Sequence, residues 1–289
     1  MTSSGSADLS GAHVAFRDVS ARGTRMRVAI AGEGPPLLLV HDFLTSQLAW
    51  ADVVGPLSRA FQVIVPDLPG FGESEKPAPE RYAYGFEGFA ESLLDLVAAL
   101  SLGRVALCGH ALGGSIAITL GADHPDVVEA LLLVAPRVYG GAPAPLSLRI
   151  AGIPLLGPLA FKQLYGRAFF RHHFETTMYG GSARVPWDRV DKHFERFNVP
   201  AARQAAYATM LATRDLRPIV AKVPRITQPA LVVWGRDDAP LPLAHSRKLA
   251  REIPGATLEI LDCGHSPHEE CPAAFALLVE SFLTRARPA

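Results

Sequence analysis

Four short stretches of this 289-residue chain carry side chains with the makings of chemistry. One holds His265 in Asp262-Cys263-Gly264-His265-Ser266-Pro267, and one holds two adjacent carboxylates in Trp234-Gly235-Arg236-Asp237-Asp238. A third closes the apolar run 37–40 with His41-Asp42-Phe43, and the fourth is Gly109-His110-Ala111-Leu112-Gly113-Gly114. An imidazole titrates near neutrality and can act as a general base, and a carboxylate on its other nitrogen fixes the tautomer that accepts a proton. The fourth stretch has the spacing of a sharp strand-to-helix turn that lifts its central residue above a sheet, with glycines where side chains would obstruct the crossing chain. A non-glycine residue held there in a left-handed conformation costs roughly 1–2 kcal/mol. A serine would put that strain to chemical use, whereas Ala111 has no oxygen to attack with.

The elements that must position these stretches are legible from hydrophobic spacing. Two β-like runs, 13–19 and 26–31, flank a glycine-containing turn. Short unbroken apolar runs follow at 37–40, 61–65, 105–108, 130–135 and 230–234, as expected of strands buried on both faces of a parallel sheet. Between them lie helical faces such as Phe86, Phe89, Leu93, Leu96, Val97 and Leu100. Another is marked by Ile116 and Leu120, and the last by Phe275, Leu278, Val279 and Phe282. Strand and helix alternate, so the fold class is α/β. The alternation breaks between Arg137 and Arg225, where helix-like pieces are separated by Gly and Pro. The expected organisation is therefore a core of residues 1–136 and 226–289 with a helical cap inserted at 137–225. Each of the four stretches falls at the C-terminal end of an expected strand, where open α/β sheets place their sites.

Those four stretches, the segment Asp67-Leu68-Pro69-Gly70-Phe71-Gly72-Glu73-Ser74 and the chain order elbow, acid, histidine resemble the α/β-hydrolase fold superfamily. The likeness is to its lid-bearing esterase, lipase and epoxide hydrolase members and runs from about His13 to the final helix. It implies a mostly parallel central sheet flanked by helices, an inserted cap, and no cofactor or metal. Carried over by position, Ala111 stands at the nucleophile position, His265 is the general base and Asp238 is the orienting acid, with Asp237 the adjacent alternative. The backbone N–H groups of Phe43 and Leu112 would form the oxyanion hole. His41, Asp42 and His110 border the site, His41 as a hydrogen-bonder at the strand end and His110 turned away from the reacting atoms. Leu156, Phe161, Tyr165 and Phe170 are expected to line an apolar pocket under the cap.

Two residues depart from the pattern: alanine replaces the nucleophile, and Asp42 stands where the glycine before the oxyanion donor is usual. The implied activity is hydrolysis of carboxylic esters with an apolar acyl or aromatic part, in a form that binds substrate but hardly turns it over. Retention of the acid, the histidine and the strained elbow favours a serine-to-alanine change made in an active parent over a natural pseudo-hydrolase. An epoxide hydrolase or dehalogenase would need an aspartate in the parent elbow and cap tyrosines such as Tyr165, Tyr179 or Tyr207 as proton donors. The cluster Cys263, His265, His268, Glu269 and Cys271 matches no standard zinc spacing. His172-His173 reads as polar outer surface of the cap.

Composition narrows the partners. With 49% hydrophobic residues the chain can bury a core, and a formal net charge of +0 argues against a generic nucleic-acid binder. Cys108, Cys263 and Cys271 read as free thiols of a reducing compartment, and no signal peptide is recognisable, so a cytoplasmic location is expected. The neutrality hides a division: residues 137–225 hold 14 Lys+Arg and 5 Asp+Glu, a balance of 14 − 5 = +9. Either cap and core attract one another, or a basic, apolar cap makes weak contact with an anionic lipid surface.

Overall fold

A computed structural model describes residues 13–140, 165–179 and 185–286. Eight strands form one sheet in the order β1-β2-β4-β3-β5-β6-β7-β8. They are β1 (Val14–Ala21), β2 (Thr24–Ala31), β3 (Pro36–Val40), β4 (Gln62–Pro66), β5 (Val105–His110), β6 (Val128–Val134), β7 (Ala230–Gly235) and β8 (Thr257–Leu261). The hairpin β1–β2 and the pair β2–β4 are antiparallel, and every pairing from β4 through β3 to β8 is parallel. A parallel sheet needs helices on both faces, and its strands must then be apolar on both faces. Leu38, Leu107, Leu133 and Val232 point to one side, against the helices α2 (Phe86–Ala99) and α3 (Leu112–Asp123). Their neighbours Leu37, Leu39, Ala106 and Leu132 point to the other, against α1 (Ala51–Leu57) and the C-terminal helix Pro272–Ala286. Period-two alternation between two cores explains why the strand runs read as continuous rather than alternating.

Between β6 and β7 the described chain forms α4 (Arg167–His173), α5 (Trp187–Phe197), α6 (Pro200–Ala212) and α7 (Arg217–Lys222), with no strand among the described residues there. α8 (Leu243–Glu252), α9 (Pro267–Glu270) and α10 (Pro272–Ala286) complete the core. Basic residues of the 137–225 segment pair with acids of the sheet-bearing part: Arg189 with Asp52 and Glu269, Arg196 with Glu73, and Lys222 and Arg225 with Asp123. Among the described residues, no helix is long and apolar enough to cross a membrane.

Candidate active site

The turn after β5 is built by close backbone approach. Ala111 holds φ 45° and ψ −103°, outside the comfortable regions for a side-chain-bearing residue, and its N–H donates to the carbonyl of Val134 at 3.0 Å. A Cβ on Gly109 would lie 2.2 Å from the carbonyl oxygen of Gly113, and one on Gly113 would lie 2.3 Å from that of Val40. No real side chain tolerates such distances. Gly113→Ala is therefore expected to lower the unfolding free energy by about 1–3 kcal/mol or more, because backbone rather than a flexible side chain must move. Urea unfolding midpoints check this, and an unchanged midpoint would show that the crossing can relax.

At the ends of β7 and β8 the two adjacent carboxylates separate. Asp237 is exposed and its N–H donates to the Cys263 carbonyl, whereas Asp238 is buried and its Oδ2 lies 2.8 Å from Nδ1 of His265. Oδ1 of Asp238 accepts the N–H of Leu241 at 2.8 Å, so the carboxylate is held at both oxygens. Burial alone would lower the His265 pKa. The hydrogen bond and charge of Asp238 more than offset it, and the imidazole titrates above its ordinary value of 6.5. By linkage, this pair stabilises the fold below about pH 6.5, the unfolded value, and the contribution is lost as pH rises through the folded pKa. Asp238→Asn is expected to move the His265 titration, followed by NMR, from above 6.5 to below it. A titration that stays above 6.5 in that variant would remove Asp238 as the cause.

The loop carrying His265 is stapled by a residue the sequence did not single out. Both oxygens of Glu270 accept backbone N–H groups, those of Gly264 and Ser266, each at 2.9 Å. A Glu one turn into a helix after Gly-His-Ser-Pro carries no periodic signal, so only the fold reveals this role. Behind the loop, His110 Nε2 donates to the His265 carbonyl at 2.9 Å and its ring packs on His268, which in turn lies against Trp50 at 4.1 Å between centroids. Burial lowers the His110 pKa to about 4, with His265 adding to the shift, so both rings behind His265 are neutral.

The oxyanion region differs most from a working acyl-transfer site. The N–H of Leu112, the first residue of α3, donates to Oδ1 of Asp42 at 2.9 Å. The hydrogen-bond donor that the resemblance assigns to a substrate oxygen is thus taken by the protein's own carboxylate. His41 is fully buried, with Nδ1 donating to the Asp42 carbonyl at 2.7 Å and Nε2 accepting the N–H of Leu68 at 3.0 Å. It fixes the Asp42 loop and touches no open space. Asp67 staples the neighbouring loop by accepting the N–H groups of Gln47 and Glu73, each at 2.7 Å. Phe43 is half-buried with its ring edge-on to Phe71.

The expected pocket residues separate. Leu156 and Phe161 lie outside the described residues. Tyr165 packs on Phe169 and Phe197. Phe170 has no exposed surface and stacks within Phe174, Phe194 and Phe197, so it belongs to the core of the helical segment and not to a pocket wall. His41 and His110 are likewise enclosed, His41 hydrogen-bonding at the end of β3 and His110 to the His265 carbonyl. His172 is exposed and His173 half-buried, with its Nδ1 3.4 Å from the Thr177 hydroxyl, and burial lowers its pKa to about 4. The hydroxyl of Tyr179 donates to Glu269 at 2.9 Å, which engages one of the three tyrosines considered as proton donors.

Comparison with known proteins adds three findings. The sequence model of the alpha/beta hydrolase fold matches residues 35–272. An uncharacterized protein of Mycobacterium tuberculosis is 32% identical over 95% of this chain and 82% of its own length, and the 2-hydroxymuconate semialdehyde hydrolase of Pseudomonas sp. strain CF600 is 30% identical over 93% and 94%. Among solved structures, the enol-lactonase of Burkholderia xenovorans LB400 superposes with a TM-score of 0.78 at 26% identity, over 93% of this chain and all of that one.

Proposed function

The chain belongs to the alpha/beta hydrolase fold family, and from that premise we propose that it is an ester-hydrolase relative that binds a small apolar ester-like molecule and hardly hydrolyses it. The ligand sits at the C-terminal edge of the sheet beside His265, under a helical cap made by residues 137–225. The observation that carries this reading is the Leu112 N–H held by Asp42 beside Ala111. Acyl transfer needs an attacking oxygen and a donor free for the oxygen of the tetrahedral intermediate. This chain has no attacking oxygen at the elbow, and one of its two expected donors is taken.

The pairing of the two departures also bears on their origin. A serine-to-alanine change made in an active parent accounts for Ala111 and leaves Asp42 unexplained. A lineage that does not use acyl transfer accounts for both, so the natural alternative is preferred. Four of the fourteen basic residues of the cap, Arg189, Arg196, Lys222 and Arg225, pair with acids of the core, which supports attachment of cap to core.

The test is hydrolysis and binding of p-nitrophenyl esters from acetate to decanoate. The native chain is expected to show no turnover above background and a melting temperature raised most by medium-chain esters. The Asp42→Gly, Ala111→Ser double variant is expected to hydrolyse the same esters with the same chain-length preference. Enzymatic turnover by the native chain, or none by the double variant, overturns the reading.

A further inference from the structure

The loop that carries His265 begins and ends at a cysteine. Cys263 stands two residues before the histidine and is buried, and Cys271 follows the single turn of α9 and is half-buried. The Cys271 N–H donates to the Pro267 carbonyl at 3.0 Å, and that one turn brings the chain back to where the loop left the sheet. Sγ of Cys271 lies 3.8 Å from the carbonyl oxygen of Asp262, the residue peptide-bonded to Cys263. The thiols of Cys263 and Cys271 hydrogen-bond to one another. Both neighbours hold this closure. The carboxylate of Glu270, beside Cys271, accepts the N–H of Gly264, beside Cys263, at 2.9 Å. The Cys263 carbonyl accepts the N–H of Asp237 at 3.0 Å, which ties the loop to the end of β7. The third cysteine, Cys108, is enclosed in β5.

We propose that Cys263 and Cys271 are an oxidation site, a thiol pair that hydrogen peroxide converts into an intrachain disulfide fastening the two ends of the His265 loop. Exposure divides the work between the two sulfurs. An oxidant reaches half-buried Cys271, whereas Cys263 is enclosed, and burial, with Cys271 and Glu270 adding to it, pushes the Cys263 thiol pKa up. The Cys271 thiolate attacks one peroxide oxygen; the S–O bond forms as the O–O bond breaks, and the departing hydroxide takes the proton Cys271 has shed and becomes water. The Cys263 sulfur then attacks Sγ of the sulfenic acid on Cys271. The S–S bond forms as the S–O bond breaks, and the leaving hydroxide carries off the Cys263 proton as a second water. Each sulfur is oxidised by one electron and the peroxide is reduced by two. A small dithiol reverses the change by thiol–disulfide exchange. A covalently closed loop has fewer open states, so the backbone bonds inside it, those of Glu270 to Gly264 and Ser266, open less often. The inference does not depend on what binds beside Ala111.

The reduced native chain is treated with hydrogen peroxide, quenched with iodoacetamide and analysed by intact mass and by mapping after cleavage at glutamate, which separates the two cysteines at Glu269-Glu270. The expected result is loss of two hydrogen atoms per chain, a peptide pair joined through Cys263 and Cys271, and return to the reduced mass with dithiothreitol. Cys108 is expected to stay reduced. Cys271→Ser is expected to form no link, and Cys263→Ala to stop at a sulfenic acid on Cys271 that dimedone traps. Circular dichroism and melting check both variants, and Cys271→Ser keeps the test decisive where Cys263→Ala does not fold. In amide hydrogen exchange, the N–H groups of Gly264 and Ser266 are expected to exchange about tenfold or more slowly in the linked chain than in the reduced one. An unchanged mass, oxygen added to Cys271 without a link, a disulfide between two chains, or equal exchange at Gly264 and Ser266 before and after linking overturns the proposal.

Discussion

Ala111→Ser alone is expected to recover at most about one-hundredth of the p-nitrophenyl hexanoate turnover recovered by Asp42→Gly, Ala111→Ser. Removing one oxyanion donor from a working site costs on the order of 10²–10³ in turnover, or about 3–4 kcal/mol. Here the Leu112 donor is present but occupied by Asp42 at 2.9 Å. A carboxylate in that position also repels the negative charge that develops on the substrate oxygen, so the single variant loses at least as much as a deletion. Asp42→Gly alone frees the donor but leaves no nucleophile, and should stay at background, because triad members act as a unit and their losses do not add. The two changes should therefore be strongly non-additive. Steady-state rates for all four proteins, with binding followed by melting temperature, decide the matter. Equal turnover in Ala111→Ser and the double variant would show that the Asp42 carboxylate leaves the hole on binding and that the lost serine is the whole defect.

The sheet was legible because both of its faces are buried: runs such as 37–40 and 105–108 are apolar at every position, and β3 and β5 carry them into two different cores. The pairing of acid and histidine was implied by the family resemblance, which left Asp237 and Asp238 both open, and burial separates the two in a way that adjacency in sequence does not. Asp42 could be flagged as a departure, but not its contact with Leu112, because the two are 70 residues apart and meet only when β3 and β5 pair. Glu270, and Arg189 with Glu269, were invisible for the same reason: an exposed-looking charge on a helix has no pattern that says which loop it will staple. His172 is exposed and His173 half-buried because neighbours on a helix lie about 100° apart, and the sequence does not say which of the two turns toward the core.

Arg189→Ala is expected to lower the unfolding free energy by about 3–5 kcal/mol at pH 8, the range for leaving a buried charge without its partner. Arg189 reaches from α5 to two carboxylates of the sheet-bearing part, Asp52 at 2.8 Å and Glu269 at 2.6 Å. The Glu269 side chain is only 4% exposed and also accepts the Tyr179 hydroxyl. Burial already holds the Glu269 pKa above its ordinary value, against the pull of Arg189 and Tyr179. A carboxyl whose folded pKa is raised binds more protons when folded, so stability falls as pH rises from the unfolded value through the folded one. Without Arg189 the folded pKa rises further and the same fall becomes deeper. The loss should thus be smaller at pH 5 than at pH 8, and Glu269→Gln should return part of it in the Arg189→Ala background while costing stability in the native one. Guanidinium unfolding of the four proteins at both pH values provides the cycle. A loss of equal size at both pH values, unmoved by Glu269→Gln, would mean that Arg189 holds α5 on the core through its aliphatic stem and not through charge.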